Sequence, residues 1–249
     1  MFQKLVKTFF FGIALCTFFF SLQIFQAPIS CDFNMSEVQE EDIFIVRHGE
    51  RIDYTDRDWL SRSGHNRSDD PHLAPKGHIQ AAEVAQRMRQ YPIQRIVSSP
   101  FIRCVETASY IADVLDLPIY IEPGICEVLH TFPPGFLDTG ELASLFPRVD
   151  SSYSPIIERS SLRSEWGDGS CISRAAGVAQ KVREQLTGPI IFVGHGASCA
   201  GIGKAFSGSV SYQGLCTLTH LTKSGRGRYQ FVLDGCTDHL SDKSNLRAY

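Results

Sequence analysis

Charged residues are missing from one long stretch near the start of the chain. Residues 8–27 carry no charge and are rich in phenylalanine, and they follow Lys4 and Lys7. An uncharged apolar run of ~20 residues is long enough to cross a membrane, and behind a short basic segment it is typical of a signal peptide or signal anchor. The charged residues that follow are all acidic up to Asp42, so the positive-inside rule puts the remainder of the chain on the non-cytosolic side. We therefore predict a targeting segment over residues 1–30, membrane anchoring through residues 8–27, and a secretory or extracellular location. A cytoplasmic location is the alternative if this segment is not used.

The sequence also lacks a net positive charge, a CxxC pair and the cysteine spacing of a small disulfide scaffold. The formal net charge is −3, so bulk electrostatics give no support for a nucleic-acid partner. No two of the eight cysteines are spaced as CxxC, which argues against a structural zinc site. Seven cysteines follow residue 30, and this odd number without the spacing of a small disulfide scaffold predicts buried free thiols.

The rest of the chain alternates between strand-like and helix-like segments. Apolar runs predict strands at residues 42–46, 93–97, 118–123 and 189–193, and helical periodicity predicts helices at 76–90, 101–117 and 170–186. Residues 215–222 and 228–235 are typical of a closing antiparallel pair. This alternation predicts a three-layer α/β/α sandwich with a mostly parallel central sheet.

Two segments do not fit the alternation. The long segment from Arg51 to Pro75 is polar and is predicted to be an irregular loop. Residues 127–170 are rich in proline, glycine and serine, and we interpret them as an inserted lid with one short helix near residues 140–145. The predicted organisation is a targeting segment (1–30), a linker (31–41) and a single domain (42–249).

Two of the predicted strands end in the same dipeptide. "IFIVRHGE" and "IIFVGHGA" each run from buried apolar residues into His-Gly, at His48 and His195. If the two strands are parallel neighbours, both histidines lie at the carboxyl edge of the sheet, where open α/β sheets bind their ligands.

Three arginines are predicted to lie at the same edge. Arg47 and Arg51 flank the first His-Gly, and Arg103 lies on the first turn of the helix after the strand at 93–97. The N-terminus of that helix also favours an anion. Because guanidinium groups bind phosphate oxygens in a bidentate manner, the predicted ligand carries a phosphate.

Five motifs in this order resemble those of the histidine phosphatase superfamily, also called phosphoglycerate-mutase-like. They are "RHGER" (47–51), "LAPKGHIQA" (73–81), "SSPFIRCVETA" (98–108), "EPGICE" (122–127) and "GHGAS" (194–198). Their form most resembles the TULA/Sts-type (UBASH) branch, which includes protein-tyrosine phosphatases and ecdysteroid-phosphate phosphatases. The resemblance implies a phosphomonoester hydrolase that acts through a phosphohistidine intermediate.

The resemblance also implies a role for each site residue. His48 is the expected nucleophile, and Glu127 is expected to protonate the leaving oxygen and then activate water. His195 completes the catalytic set and donates a hydrogen bond to the phosphoryl group. Arg47, Arg51 and Arg103 are expected to bind the phosphoryl oxygens together with His195, so that neither a metal ion nor another cofactor is needed.

Several alternatives remain open at this point. A catalytically weak or inactive phosphatase-fold binding protein is one, and a phosphosugar mutase is a disfavoured second. The acid-phosphatase branch is disfavoured because Asp53 stands where that branch has proline. Glu122 and Asp53 are the alternative carboxylates to Glu127. The expected partner is a phosphorylated small molecule or a phosphotyrosine protein, and a homodimer is left open because relatives often dimerise.

Overall fold

The structure is a computed structural model, and it describes residues 38–225 and 227–247. Six strands form one sheet in the described residues: β1 (Ile43–Arg47), β2 (Arg95–Ser98), β3 (Ile119–Ile121), β4 (Ile190–Gly194), β5 (Leu218–Lys223) and β6 (Tyr229–Cys236). The α-helices are α1 (Trp59–Arg62), α2 (Pro75–Met88), α3 (Ile102–Leu115), α4 (Thr139–Leu145), α5 (Asp168–Gln185) and α6 (Gly196–Ser207). Short 3₁₀ turns occur at Ile52–Tyr54, Pro123–Ile125 and Arg159–Ser161.

The strand order is β3-β2-β4-β1-β5-β6. The first four strands in this order run parallel to their neighbours, and β5 and β6 add an antiparallel edge. A parallel sheet with antiparallel edge strands is a common form of α/β sheet. The predicted mostly parallel sheet and its closing antiparallel pair are therefore confirmed.

The alternation of side chains along β1 divides the core into two layers. Phe44 and Val46 join a cluster with residues of α2 and α3, and Ile43 and Ile45 join a second cluster with residues of α5 and α6. Because side chains point to opposite faces of a strand in turn, a strand that is apolar throughout must be covered on both faces. The three-layer sandwich follows from this covering, as predicted.

The predicted lid contains its short helix, α4, between β3 and α5. Asp138 and Glu141 form a reciprocal capping box at the start of α4. The lid is fastened to the sheet by Glu122, which is fully buried and accepts hydrogen bonds from the backbone N–H groups of Gly124 (2.8 Å) and Ile156 (2.6 Å). Burial raises the pKa of this carboxyl. The carboxylate of Glu122 therefore holds the backbone of the lid, and among the described residues its hydrogen bonds are with Gly124 and the lid and not with the two histidines.

The segment from Arg51 to Pro75 is more ordered than we predicted. It contains a 3₁₀ turn and helix α1, and Trp59 at the start of α1 is buried. The Trp59 ring lies 6.0 and 6.1 Å from the rings of His65 and His72. The buried Trp59 ring anchors this polar segment. The sequence around Trp59 has no apolar periodicity, so a helix was not predicted there.

Other predictions concern the cysteines and the chain before the domain. The six described cysteines are buried and free, as expected: Cys104, Cys126, Cys171, Cys199, Cys216 and Cys236. The predicted targeting segment, residues 1–30, lies outside the described residues. Within the described part of the chain, no helix is long and apolar enough to cross a membrane.

Gly77 of α2 packs directly against the loop that follows β1. A Cβ atom at Gly77 would lie 2.2 Å from the carbonyl oxygen of Glu50, which already accepts the N–H of Ala74 at 2.8 Å. We expect Gly77→Ala to lower the free energy of unfolding by about 1–3 kcal/mol, as overpacking does. Urea denaturation at fixed pH measures this change.

The control for this prediction is Gly177→Ala in the middle of α5. A Cβ atom there meets nothing within 4 Å, and alanine favours a helix over glycine by roughly 0.5–1 kcal/mol. The control should therefore be slightly more stable than the wild type. A Gly77→Ala protein of unchanged stability would show that the two backbones can separate freely.

Candidate active site

The two His-Gly segments lie side by side. Strands β1 and β4 are parallel neighbours in which Arg47 is opposite Gly194, and the backbone N–H of His48 donates to the Gly194 carbonyl at 3.0 Å. The rings of His48 and His195 are 5.3 Å apart between centroids and meet edge to face. The structure thus brings the two histidines to one edge of the sheet, as the sequence predicted.

The imidazole of His48 is held with one nitrogen available. Its Nδ1 lies 2.7 Å from the carbonyl oxygen of Gly49. A carbonyl oxygen only accepts hydrogen bonds, so Nδ1 carries the proton and Nε2 keeps its lone pair. Burial, followed by the charges of Arg103 and Arg47, lowers the pKa of His48 well below its ordinary value. The ring is therefore neutral at neutral pH, the form that a nucleophile requires.

The two ring nitrogens of His195 lie close to the polar groups of Ser99 and Arg103. Its Nε2 is 2.8 Å from the hydroxyl oxygen of Ser99, and its Nδ1 is 3.2 Å from Nη2 of Arg103. Since a guanidinium only donates, Nδ1 accepts in this state and Nε2–H donates to Ser99. The Ser99 hydroxyl can also rotate so that it donates to Nε2 of His195. In that arrangement Nδ1 carries the ring proton and can donate to another group. Burial, Arg103 and His48 lower the pKa of His195 as well.

The lowered pKa values make stability depend on pH. In the unfolded chain both histidines bind protons below about pH 6.5, while in the folded protein they stay neutral to a lower pH. The unfolded state then binds more protons, so stability falls as the pH drops below about 6.5 and is fully present above it. We expect His48→Ala to reduce the slope of the free energy of unfolding against pH by up to about 1.4 kcal/mol per pH unit between pH 6 and 4.

Urea denaturation at a series of pH values measures that slope. His130→Ala is the control, because the side chain of this lid histidine is exposed. A slope that is unchanged in His48→Ala would contradict a buried neutral His48.

Arg103 is almost completely buried at the start of α3. Its Nη1 lies 3.3 Å from the carbonyl oxygen of Asp69 and 4.0 Å from the Asp70 carboxylate, and its guanidinium lies over the ring of Phe101 at 4.6 Å. Burial and then the charge of Arg51 lower the pKa of Arg103. An anion bound between Arg103 and Arg51 would stabilise the charged form of both guanidinium groups.

The other two arginines are fixed by different partners. Nη1 of Arg47 donates to the carbonyl oxygens of Gln213 (3.0 Å) and Arg247 (2.9 Å). Arg51 makes a bidentate pair with Asp53, with Nε–Oδ1 at 2.9 Å and Nη2–Oδ2 at 2.5 Å. Asp53 replaces the proline of the acid-phosphatase branch, and in this chain it orients Arg51. This contact engages both carboxylate oxygens of Asp53.

Glu127 reaches the same group of residues. Its Oε2 lies 3.5 Å from Nδ1 of His195 and 3.8 Å from Nη2 of Arg103, and its Oε1 accepts the N–H of Val128 at 3.0 Å. Its side chain is 28% exposed, whereas that of His195 is fully buried. Glu127 therefore lies between the buried groups and solvent, where a leaving group would depart.

Three of these groups also have the spacing of metal ligands. One atom each of His48, Glu127 and His195 lie within 4.8 Å of one another. The charges around them favour an anion, because Arg103 contacts both His195 and Glu127, and the charges of Arg47 and Arg51 also act on both histidines. We therefore keep the metal-free site as our prediction.

A cavity of about 170 Å³ opens beside these groups. Its lining includes Arg51, Arg103 and Glu127, together with Asp69, Phe101 and the lid residues Val128, Leu129, His130 and Thr131. The sequence analysis missed Ser99 and the orienting role of Asp53, although both lie within or next to quoted motifs. No property of a single serine or aspartate distinguishes such contacts from ordinary surface positions.

Removal of Arg103 should slow catalysis strongly. We expect Arg103→Ala to lower kcat by about 10²–10³-fold, which is the usual effect of losing one preorganised donor to a developing charge. Arg103→Lys should recover only part of the loss, because an ammonium group keeps the charge and loses the planar fork. The measurement is the steady-state hydrolysis of p-nitrophenyl phosphate.

Arg95→Ala is the matched control for Arg103→Ala. Arg95 lies at the other end of β2, and its Nη1 donates only to the Gln94 carbonyl among the hydrogen bonds of the described residues. The control should keep the wild-type rate. Equal rates for Arg103→Ala and Arg95→Ala would show that Arg103 does not act on the reacting group.

The comparison of this chain with known proteins agrees with the geometry. The sequence model of the histidine phosphatase superfamily (branch 1) matches residues 43–135, the segment that contains His48, Arg103 and Glu127. Over this segment the chain is similar to the histidine phosphatase superfamily.

Individual relatives are more distant. The ecdysteroid-phosphate phosphatase of Drosophila melanogaster is 26% identical over 210 residues, which cover 70% of this chain and 28% of that protein. The ubiquitin-associated and SH3 domain-containing protein A of Mus musculus is 30% identical over 177 residues, which cover 57% of this chain and 27% of that protein. This chain thus matches less than a third of the length of either relative.

A solved structure shares the fold along most of its length. The crystal structure of the ecdysone phosphate phosphatase from Bombyx mori, in complex with tungstate, superposes with a TM-score of 0.66 at 24% sequence identity. The superposition covers 82% of this chain and 96% of that chain.

Proposed function

We propose that this chain is a metal-independent phosphomonoester hydrolase that acts through a phosphohistidine at His48. One observation carries the proposal. A neutral imidazole with a free nitrogen lies with a second histidine, the buried Arg47 and Arg103 and the partly exposed Arg51, and Glu127 lies where this group meets solvent. These are a nucleophile, an anion-binding group and a proton donor in one place.

The first step transfers the phosphoryl group to the protein. Nε2 of His48 attacks phosphorus, the ester P–O bond breaks, and the leaving oxygen takes a proton from Glu127. In the second step Glu127 takes a proton from water, the water oxygen attacks phosphorus, and the P–N bond breaks to release phosphate. Arg47, Arg51 and Arg103 offset the charge of the phosphoryl oxygens in both transition states.

The lining of the cavity favours substrates with an uncharged organic group. Beyond the phosphate-binding arginines, the described lining contains the carboxylate of Asp69 and the lid residues 128–131, and it contains no lysine or further arginine. A substrate with its own carboxylate, such as a phosphoglycerate, would meet Asp69 without a cation. This disfavours a phosphoglycerate mutase and supports phosphates with an uncharged organic group, such as steroid or aryl phosphates, including phosphotyrosine. The name of the Drosophila relative supports the steroid phosphates.

A panel of substrates tests this proposal. We expect the purified protein to release phosphate from p-nitrophenyl phosphate, from a steroid phosphate and from a phosphotyrosine peptide, with 3-phosphoglycerate as the poor substrate. EDTA should leave the rate unchanged. Loss of activity in EDTA with recovery in Mg²⁺ or Zn²⁺ would refute the metal-free mechanism. A protein that binds these phosphates without hydrolysing them would support the alternative of an inactive binding protein.

We also propose that residues 8–27 bring the chain to a membrane. The support is the uncharged apolar run behind Lys4 and Lys7. Carbonate extraction of the tagged full-length chain tests it, and recovery of the chain wholly in the soluble fraction would contradict it. The homodimer stays a prediction that sedimentation of the purified protein can test.

A further inference from the structure

A buried ion pair lies behind the proposed proton donor and belongs to none of the motifs. Arg174 on α5 makes a bidentate pair with Glu165, with Nε–Oε1 and Nη2–Oε2 both at 2.8 Å. The side chains are 11% and 8% exposed. Burial of two charges is costly, and such a pair is stable only when further hydrogen bonds satisfy the remaining donors and acceptors.

The remaining donors of Arg174 all go to the backbone that carries Glu127. Its Nη1 donates to the carbonyl oxygen of Gly124 at 2.8 Å, and its Nη2 donates to that of Glu127 at 3.0 Å. Both nitrogens also lie 3.3 Å from the carbonyl oxygen of Cys126. One planar guanidinium thus links α5 to three carbonyl groups within four consecutive residues.

Glu165 holds the same segment on its other side. Its Oε2 accepts the N–H of Leu129 at 3.2 Å, and its own N–H donates to the Leu129 carbonyl at 3.1 Å. Residues 126–138 contain no helix or strand, so regular secondary structure does not fix the position of Glu127. The ion pair brackets Glu127, with Arg174 contacting residues 124–127 and Glu165 contacting residue 129.

We propose that Arg174, held by Glu165, is a positioning residue that places the carboxyl of Glu127 for proton transfer to the leaving group. The inference rests on the proposed function and deepens it. Glu127 Oε2 must stay near His195 and Arg103, now 3.5 and 3.8 Å away, while its backbone is an irregular lid segment. A displacement of about 1 Å in a catalytic group can cost 10²-fold in rate, so a fixed backbone has a direct catalytic consequence.

The test compares two leaving groups in Arg174→Met. An alkyl phosphate needs a proton on its leaving oxygen, whereas p-nitrophenolate leaves without one. We expect Arg174→Met to lower kcat/KM, which reports the first step, about 10-fold or more further for the alkyl phosphate than for p-nitrophenyl phosphate. Arg174→Lys should recover part of the difference. In a Glu127→Gln background, Arg174→Met should leave the ratio of the two rates unchanged, because the group that it positions is already gone.

Arg183→Met is the control on the same helix. Arg183 also donates to backbone carbonyls, of Leu186 and of Gly188 at 2.7 Å, but these lie at the far end of α5. The control should leave the ratio of the two rates at the wild-type value. If Arg174→Met does not fold, Glu165→Gln replaces it, because this variant keeps the shape of the side chain and weakens the pair.

The outcomes separate the two proposals. An active wild type in which Arg174→Met slows both substrates equally overturns the positioning role and leaves the proposed function standing. A ratio that still falls on adding Arg174→Met to Glu127→Gln also overturns the positioning role. A wild type that hydrolyses neither substrate overturns the proposed function, and the positioning role falls with it.

Discussion

His48→Ala should abolish turnover and leave the fold intact. His48 is the buried imidazole whose Nδ1 proton is engaged by Gly49, which leaves Nε2 as the attacking atom. Alanine removes the nucleophile, and no neighbouring group can replace it: His195 is bound to Ser99 and Arg103, and burial raises the pKa of the Cys104 thiol well above its ordinary value. Water could then attack only directly, without the covalent intermediate that divides the reaction into two easier steps.

Acid-quenched labelling with a radioactive phosphoester measures the intermediate itself. A phosphohistidine is acid-labile and stable in base, so the wild type should give a label with these properties and His48→Ala should give none. His78→Ala should label like the wild type. A wild type that turns over substrate without ever carrying label would refute the covalent mechanism. Near-wild-type activity in His48→Ala would refute the choice of nucleophile.

The sequence was most informative where strand ends define the site. The apolar runs before His48 and His195 predicted two buried parallel strands, and strand ends in one sheet meet at one edge. Their adjacency was a condition of that prediction, and the pairing of β1 with β4 meets it. The position of Arg103 on the first turn of α3 followed from the predicted helix over residues 101–117. The register, with Arg47 opposite Gly194, could not be predicted, because both runs are apolar on both faces and slide without changing the pattern.

The contacts that hold the site residues in place could not be predicted from the sequence. Ser99, Asp53 and the pair of Arg174 with Glu165 depend on where an irregular segment turns back towards the sheet. Glu165 lies in the lid, and it contacts Leu129, 36 residues earlier in the chain, across a segment whose only α-helix is the short α4. Helix α1 was missed for a related reason: its one buried residue, Trp59, is held by two histidines of the same loop.

The fold tolerates buried arginines at the site because each of them has polar partners. Arg47 and Arg103 are buried, and burial with a neighbouring arginine lowers the pKa of Arg103. Carbonyl oxygens satisfy part of Arg47, and the carboxylates of Asp53 and Asp70 lie beside Arg51 and Arg103. A phosphoryl group would add anionic oxygens that the three arginines can bind together. We therefore expect phosphate analogues to stabilise the folded protein.

Glu127→Gln should affect alkyl phosphates far more than p-nitrophenyl phosphate. A departing alkoxide is a strong base that needs a proton in the transition state, and Glu127 is the carboxyl that faces both the buried site and the cavity. General acid catalysis typically contributes ~10²–10⁴-fold, so the two substrates should differ by a factor that approaches this range. Glutamine keeps the size of the side chain and can no longer exchange the proton. The kcat/KM values for the two substrates give the ratio, because they report the transfer to His48 and not the later hydrolysis of the phosphohistidine.

The second half of the reaction gives an independent check on Glu127. Without a base to activate water, the phosphohistidine should accumulate, and p-nitrophenyl phosphate should show a burst of phenolate followed by a slow steady state. Glu158→Gln is the matched control, since this lid glutamate is exposed and does not line the cavity beside Arg103 and Glu127. Equal slowing of both substrates without a burst would make Glu127 a binding residue only. Because Glu122 is fixed by the lid and Asp53 by Arg51, that result would leave Asp69 as the remaining carboxylate of the cavity to test.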